Sequence, residues 1–328
     1  VQSMTNTDTR DVEATLAQID RLVRRGCEAV RVAVPDMTAA RALRALHDGS
    51  PVPLIADIHF DYRLALAALE AGLEGLRINP GNIGPREHVD RVVDAAKANG
   101  AVIRVGVNSG SVEKHLLQKY GGPCVEAMVE SALSHVRMLE DRGFYDTKIS
   151  LKSSSVLDTI AAYRLLARSC DYPLHIGVTE AGGLMRGTVK SAVGLGILLH
   201  EGIGDTLRVS LSGETTEEVA AGREILRAVG LERDYVEVVA CPTCGRCRWN
   251  AAAFAEKVEA RVKGIRKRLK IAVMGCAVNG VGEGKDADLG VAGSGEDCVL
   301  FRKGEVIWKG PPEELEERFT EELMSCLR

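Results

Sequence analysis

The chain has no run of about 18 consecutive apolar residues, the least that crosses a bilayer as a helix, so no membrane span is expected. Nor does a charged segment lead into a short apolar one near the start, as in a secretory leader, and the cytoplasm is the expected location. Excess positive charge is missing too. With 42 Lys and Arg against 46 Asp and Glu the formal net charge is -4, which excludes the global basic field used in non-specific nucleic-acid binding. Low-complexity segments are absent. The nine cysteines are an odd number, and three of them crowd into Cys241–Cys247, unlike the disulfide framework of a secreted domain. Metal chemistry in a reducing compartment is the better reading. The chain starts at Val1, without Met and inside an expected strand, so some preceding sequence is expected to be missing.

What is present is a repeated grammar of amphipathic helix, glycine, short link and β-branched strand. Gly26 precedes Ala29–Val34, Gly72 precedes Gly75–Asn79, Gly100 precedes Val102–Val107, Gly143 precedes Lys148–Lys152 and Gly202 precedes Thr206–Ser210. A glycine just past a helix takes the left-handed capping conformation cheaply, and the run that follows suits a buried parallel strand. Eight strands are expected, beginning near Val1, Ala29, Leu54, Gly75, Ala101, Lys148, Pro173 and Thr206. Eight strand–helix units predict a closed (β/α)8 barrel of the TIM type, an α/β fold, over residues 1–234. The long link after strand five, Asn108–Gly122, reads equally as a lid or a passive insertion. Beyond Leu231–Tyr235 the pattern changes to a strand, a cysteine loop, a helix (Ala251–Leu269), a strand (Ile271–Gly275), further strands and a last helix. That predicts a small α+β domain over 235–328.

Active sites of such barrels lie at the C-terminal strand ends, and residues two apart on a strand share a face. The inward set is then Arg31, Asp57 and His59, Arg77 and Asn79, Arg104 and Asn108, Lys152, Glu180, and Arg208 and Ser210, while Ile78, Val105, Leu151 and Val209 face the helices. Five cations from five strands, with Asp57 and Glu180 as the matching carboxylates, call for an anionic ligand. Arginine's paired donors suit phosphate or diphosphate. Glu180, in His175-Ile-Gly-Val-Thr-Glu180-Ala-Gly-Gly, is the expected general acid or base, partly desolvated by strand ends and glycine turns. His59 is more simply a hydrogen-bonded structural residue. Gly182-Gly183 and Gly280-Val-Gly282 lack the spacing of a dinucleotide fingerprint.

The second domain carries Cys241-Pro-Thr-Cys244-Gly-Arg-Cys247 and, past a helix and a strand, Gly275-Cys276-Ala-Val-Asn279-Gly-Val-Gly-Glu283. Two thiolates from one tight turn and a third from a glycine-flanked loop read as ligands of an iron-sulfur cluster. A structural zinc site built from Cys241, Cys244, Cys276 and either Cys247 or Cys298 is the rival reading. A siroheme-type reductase is a second rival, opposed by the absence of a C-x5-C spacing.

These words in this order, with Val1-Gln-Ser-Met-Thr-Asn-Thr-Asp8, Ala56-Asp-Ile-His-Phe60, Arg77-Ile-Asn-Pro-Gly-Asn82 and Arg104-Val-Gly-Val-Asn108, resemble the 4-hydroxy-3-methylbut-2-enyl diphosphate synthase family of the non-mevalonate isoprenoid pathway along essentially the whole chain. The resemblance implies a [4Fe-4S] oxidoreductase that opens the ring of 2-C-methyl-D-erythritol 2,4-cyclodiphosphate and reductively removes a hydroxyl. Flavodoxin or ferredoxin would supply the electrons. It also implies Cys241, Cys244, Cys276 and Glu283 as cluster ligands and Asn279 beside them, with Glu180 as catalytic acid. Arg31, Arg77, Asn79, Arg104, Asn108, Lys152, Arg208 and Ser210 would hold substrate. A homodimer with shared sites is implied, and it is expected independently, because the last barrel helix returns to the end of the barrel opposite the mouth. Two positions depart from the family pattern: Val281 stands where that family carries proline, and Cys247 is an extra thiol. With Cys247 the shell could close with four thiolates, as in ferredoxins. Reductive dehydroxylation needs an exchangeable ligand, which favours the carboxylate of Glu283.

Overall fold

The computed structural model describes every residue except Pro80, Gly81 and Glu283, with only the backbone of Val281, and the chain divides into two units, Val1–Leu231 and Glu232–Arg328. None of the described helices is long and apolar enough to cross a membrane.

In the first unit eight strands alternate with helices: β1 (Gln2–Met4), β2 (Ala29–Ala33), β3 (Leu54–Asp57), β4 (Gly75–Ile78), β5 (Val102–Asn108), β6 (Thr147–Lys152), β7 (His175–Ile176) and β8 (Thr206–Leu207). β1 to β6 form one continuous parallel ladder, β7 joins through the Ile149–Leu174 bridge, and β7 pairs with β8 in parallel. Across the remaining gap Arg208, just past β8, brings Nη1 to 3.9 Å from Met4 Sδ at the end of β1. The unit is a (β/α)8 TIM-type barrel. Its helices are α1 (Val12–Arg24), α2 (Met37–Gly49), α3 (Tyr62–Glu70), α4 (Arg86–Asn99), α5 (Lys114–Tyr120), α6 (Val125–Glu140), α7 (Val156–Ser169), α8 (Leu184–His200) and α9 (Thr215–Ala228). Aspartate carboxylates at Asp11, Asp36 and Asp61 accept the first free amides of α1, α2 and α3, so the chain enters each helix at a defined residue. Ile78, Val105, Leu151 and Val209 are fully buried, which leaves the alternate residues of those strands for the barrel interior.

The Asn108–Gly122 link holds a 3-10 turn (Ser109–Ser111) and α5. It is tied down at two places: Glu113 Oε1 lies 2.6 Å from His135 Nε2 on α6, and Lys119 and Tyr120 donate to Glu130 at 2.6 and 2.5 Å. The described contacts make this segment a strut.

The second unit holds β9 (Val236–Ala240), α10 (Ala251–Val262), β10 (Leu269–Met274), α11 (Ala277–Val281), β11 (Leu289–Ser294), β12 (Asp297–Arg302), β13 (Glu305–Gly310) and α12 (Pro312–Leu327). Its sheet runs β13-β12-β11-β10-β9, with β9, β10 and β11 parallel and the last two antiparallel. It is α+β, as expected, with one boundary corrected. Helix α10 stops at Val262 rather than Leu269, because Gly264 turns the chain at φ 83° and Leu269 already pairs with Val236 as a strand residue.

Candidate active site

At the barrel mouth the inward alternation brings the expected cations into one electrostatic field. Arg104 is 1% exposed, and its Nε and Nη1 have no hydrogen-bond partner among the described residues. Burial drives its pKa well below the arginine value, and the charges of Arg31 and Arg77 add to the effect. Lys152 is likewise pushed far down, first by burial and then by Arg104, Arg208, Arg31 and Arg77. Burial takes Arg31 down to about 10, against the pull of Asp57. Asp57 is a carboxylate at the centre, 3.3 Å from Arg77 and 4.0 Å from Arg31. Burial alone would raise its pKa, but the His59 ring 3.7 Å away and the two guanidinium charges hold it well below the carboxylate range. His59 lies 2.8 Å from Arg77 Nη1, the hydrogen-bonded structural position its sequence context suggests.

Other residues complete this mouth. Asn79 is buried just past β4, and Asn108 and Ser210 are half-buried at their strand ends. Ser111 Oγ accepts from the Asn108 amide at 2.9 Å and donates to its carbonyl at 3.0 Å, fixing the backbone there. Two inward glycines are as necessary as the cations. A Cβ at Gly106 would stand 2.7 Å from Arg77 Nε, and one at Gly177 would stand 2.6 Å from the Arg208 carbonyl and 2.8 Å from Lys152 Nζ. Glycine on the inward side of a polar alternation was the signal for both.

Two expectations need correction. The matching carboxylates are not limited to the strand ends. Glu218 on α9, 2% exposed, grips Arg208 with two contacts of 3.1 Å and also accepts from Ser3 and from the Leu211 amide. The sequence signal was a glutamate on the buried stripe of α9, alongside Thr215, Val219, Gly222 and Ile225. Glu180 is exposed rather than partly desolvated, at φ 52° on the turn after β7. β7 is only two residues long, so the strand gives way to turn before Glu180 and the described barrel residues do not enclose it.

In the second unit the cysteines surround one small pocket of about 160 Å³, lined by Cys241, Thr243, Cys244, Arg246, Cys247, Cys276 and Asn279 among others. Cys241 follows β9, and its sulfur accepts the Gly275 amide at 3.1 Å. Cys276 precedes α11, where the amide of Asn279 foremost, then that of Val278, and Arg246 lower its pKa against the effect of burial. Cys247 Sγ donates to the Trp249 carbonyl at 3.0 Å. Gly275 is obligatory, because a Cβ there would lie 2.9 Å from Cys247 Sγ and 3.2 Å from Cys241 Sγ. Among the described residues no three His, Cys, Asp or Glu side chains converge on a single ion. Four thiols around one cavity, with amide donors aimed at the sulfurs of Cys241 and Cys276, are a ligand set of the kind an iron-sulfur cluster uses. Cys298 is fully buried on β12 with its pKa raised to about 11, first by burial, and does not line the pocket. The fourth-ligand expectation falls on Glu283, which lies outside the described residues.

Fold and site define the class: a (β/α)8-barrel enzyme with an anion-attracting mouth and a cysteine-bearing α+β domain. Residues 1–223 match the GcpE TIM-barrel domain and residues 237–325 the GcpE protein C-terminal domain. The 4-hydroxy-3-methylbut-2-en-1-yl diphosphate synthase (flavodoxin) of Lawsonia intracellularis is 66% identical over 94% of this chain and 86% of its own. Its counterparts in Nitratidesulfovibrio vulgaris and Geobacter sulfurreducens are 62% identical over 94% of this chain and 80% of their own, and 58% over 100% and 93%, respectively. The chain belongs to the GcpE family of 4-hydroxy-3-methylbut-2-en-1-yl diphosphate synthases, oxidoreductases of isoprenoid biosynthesis.

Proposed function

We propose that the chain reduces 2-C-methyl-D-erythritol 2,4-cyclodiphosphate to 4-hydroxy-3-methylbut-2-enyl diphosphate. The observation that carries this reading is Arg104: a buried guanidinium whose Nε and Nη1 have no hydrogen-bond partner among the described residues, amid Arg31, Arg77 and Lys152, suits an anionic ligand. A diphosphate supplies the charge and the paired acceptors. Arg31, Arg77, Arg104, Lys152 and Arg208 grip the diphosphate, while Asp57 and His59 orient Arg77 and Glu218 orients Arg208. Asn79, Asn108 and Ser210 supply hydrogen bonds that fix the carbon skeleton. Glu180 gives a proton to the departing hydroxyl, so that two electrons and two protons enter while the ring C–O bond opens and one water leaves.

Cys241, Cys244, Cys276 and Glu283 would hold a [4Fe-4S] cluster, with Asn279 at its edge. Such a cluster would supply one-electron reduction, with the carboxylate of Glu283 as its exchangeable ligand. Electrons come from a flavodoxin, named with the relatives, or from a ferredoxin, and the reaction takes place in the cytoplasm. The working form is a homodimer in which the cluster domain of each subunit covers the partner's barrel mouth and encloses Glu180. An exposed apolar stripe on α8 (Met185, Val189, Val193 and Ile197) supports association of barrels. The barrel takes residues 1–234 and the cluster domain 235–328.

Anaerobic turnover of the cyclodiphosphate with a chemical reductant tests the whole reading. Freshly purified protein should be brown, with broad absorption near 400 nm; a colourless, zinc-loaded protein without turnover would sink it. Mixing Glu180→Gln and Cys276→Ser subunits should restore activity if sites are shared, and an active, strictly monomeric protein would refute the sharing.

A further inference from the structure

Of the nine cysteines, four line one pocket of the second unit: Cys241, Cys244, Cys276 and also Cys247. Cys247 is not a peripheral thiol. Its sulfur and that of Cys241 crowd the same point beside Gly275, where a Cβ would be 2.9 Å from one and 3.2 Å from the other. The Cys247 amide donates to the Cys244 carbonyl at 2.9 Å, so the two residues belong to one turn. One hydrogen bond, from Cys247 Sγ to the Trp249 carbonyl at 3.0 Å, parks the thiol. Trp249 is itself held close, since a Cβ at Gly293 would meet its ring at 2.9 Å. Cys247 is half-buried, lies in the same pocket as Cys241, Cys244 and Cys276, and has its sulfur held by one hydrogen bond.

We propose that Cys247 is a reserve ligand of the cluster. This rests on the proposed function, in which the fourth ligand is an exchangeable carboxylate. If the carboxylate left with no substrate present, the Cys247 thiol would break its bond to the Trp249 carbonyl and pass its proton to the released carboxylate. Its sulfur would then take the vacated position; one iron–oxygen bond would be exchanged for one iron–sulfur bond, with no change of oxidation state. Closure by four thiolates retains all the iron but leaves none open to substrate, so the enzyme is held intact and idle.

The test uses anaerobically purified holoenzyme, in wild type and in the Glu283→Ala, Cys247→Ser and double variants. The readouts are iron and sulfide per chain, the paramagnetic signal of a three-iron cluster after mild oxidation, and alkylation of Cys247 by iodoacetamide followed by mass spectrometry. Wild type and Cys247→Ser should each hold about four irons, as a [4Fe-4S] cluster requires. Glu283→Ala should also keep about four, without the three-iron signal, and the double variant should fall to about three. Cys247 should be alkylated in wild type and protected in Glu283→Ala. Should the double variant fail to fold, the alkylation comparison stands without it. Equal alkylation in wild type and Glu283→Ala, or loss of the fourth iron in Glu283→Ala alone, overturns the proposal. Protection in wild type together with iron loss in Cys247→Ser would make Cys247 the resident ligand and equally overturn it. Wild type without iron and sulfide would refute the proposed function itself.

Discussion

Asp57 Oδ1 and Arg77 Nη1 lie 3.3 Å apart at the ends of adjacent strands, and this pair sets the charge balance of the barrel mouth. Asp57 is the carboxylate that also faces Arg31, at 4.0 Å. Its replacement leaves buried cations without their counter-charge. Asp57→Asn should therefore lower barrel stability by about 3 kcal/mol, the scale for breaking a buried pair. Added pyrophosphate should recover more stability in the variant than in wild type, and denaturant titrations with and without it decide. Equal stabilisation of both would mean that Asp57 does not balance the anion site.

Arg104 shows the opposite trade. Its Nε and Nη1, buried without a partner among the described residues, cost stability in the free protein and become useful only with an anion. Arg104→Met should stabilise the ligand-free protein by about 1–3 kcal/mol, read as a higher denaturation midpoint, and weaken substrate binding tenfold or more. A variant less stable than wild type would show that the guanidinium has a partner in solution.

Glu180 combines strain with its proposed role. A left-handed φ of 52° costs a non-glycine residue about 1 kcal/mol. Glu180→Gly should stabilise the protein by roughly that amount while abolishing turnover, and Glu180→Gln should keep wild-type stability while turnover falls by roughly two to four orders of magnitude. Near-normal turnover in Glu180→Gln would remove the residue from the chemistry.

The strut after β5 makes a pH prediction. Burial alone would raise the pKa of Glu113, but the His135 imidazole, 2.6 Å away, brings it down to about 2. A carboxylate lowered on folding contributes stability that is fully present above its unfolded value, about 4.3, and is lost as pH falls through the folded one. Wild type should lose stability from about pH 4 toward pH 2, and Glu113→Gln should be less stable at neutral pH with a flatter acid profile. Acid titration followed by circular dichroism measures both, and parallel profiles would exclude the Glu113–His135 pair as an anchor.

Most of the barrel was legible in the sequence because period-two alternation and glycine caps are local signals. All eight strands begin within about two residues of their expected positions, and the alternation that buries Ile78, Val105, Leu151 and Val209 also directs Arg77, Arg104 and Lys152 inward. The strand-end residues and the cysteine words could thus be read one by one. Only the tertiary structure decided how their charges are balanced. The pairing of Glu218 with Arg208 and Ser3 joins α9 to residues 10 and 215 positions away, and spacing along the chain carries no trace of it. The exposure of Glu180 follows from where a two-residue strand gives way to a turn, and the place of Cys247 beside Cys241 depends on the close passage of Gly275. Sequence determines which side chains share a face. Which of them share a charge, a proton or a cavity depends on distances that exist only after the chain has folded.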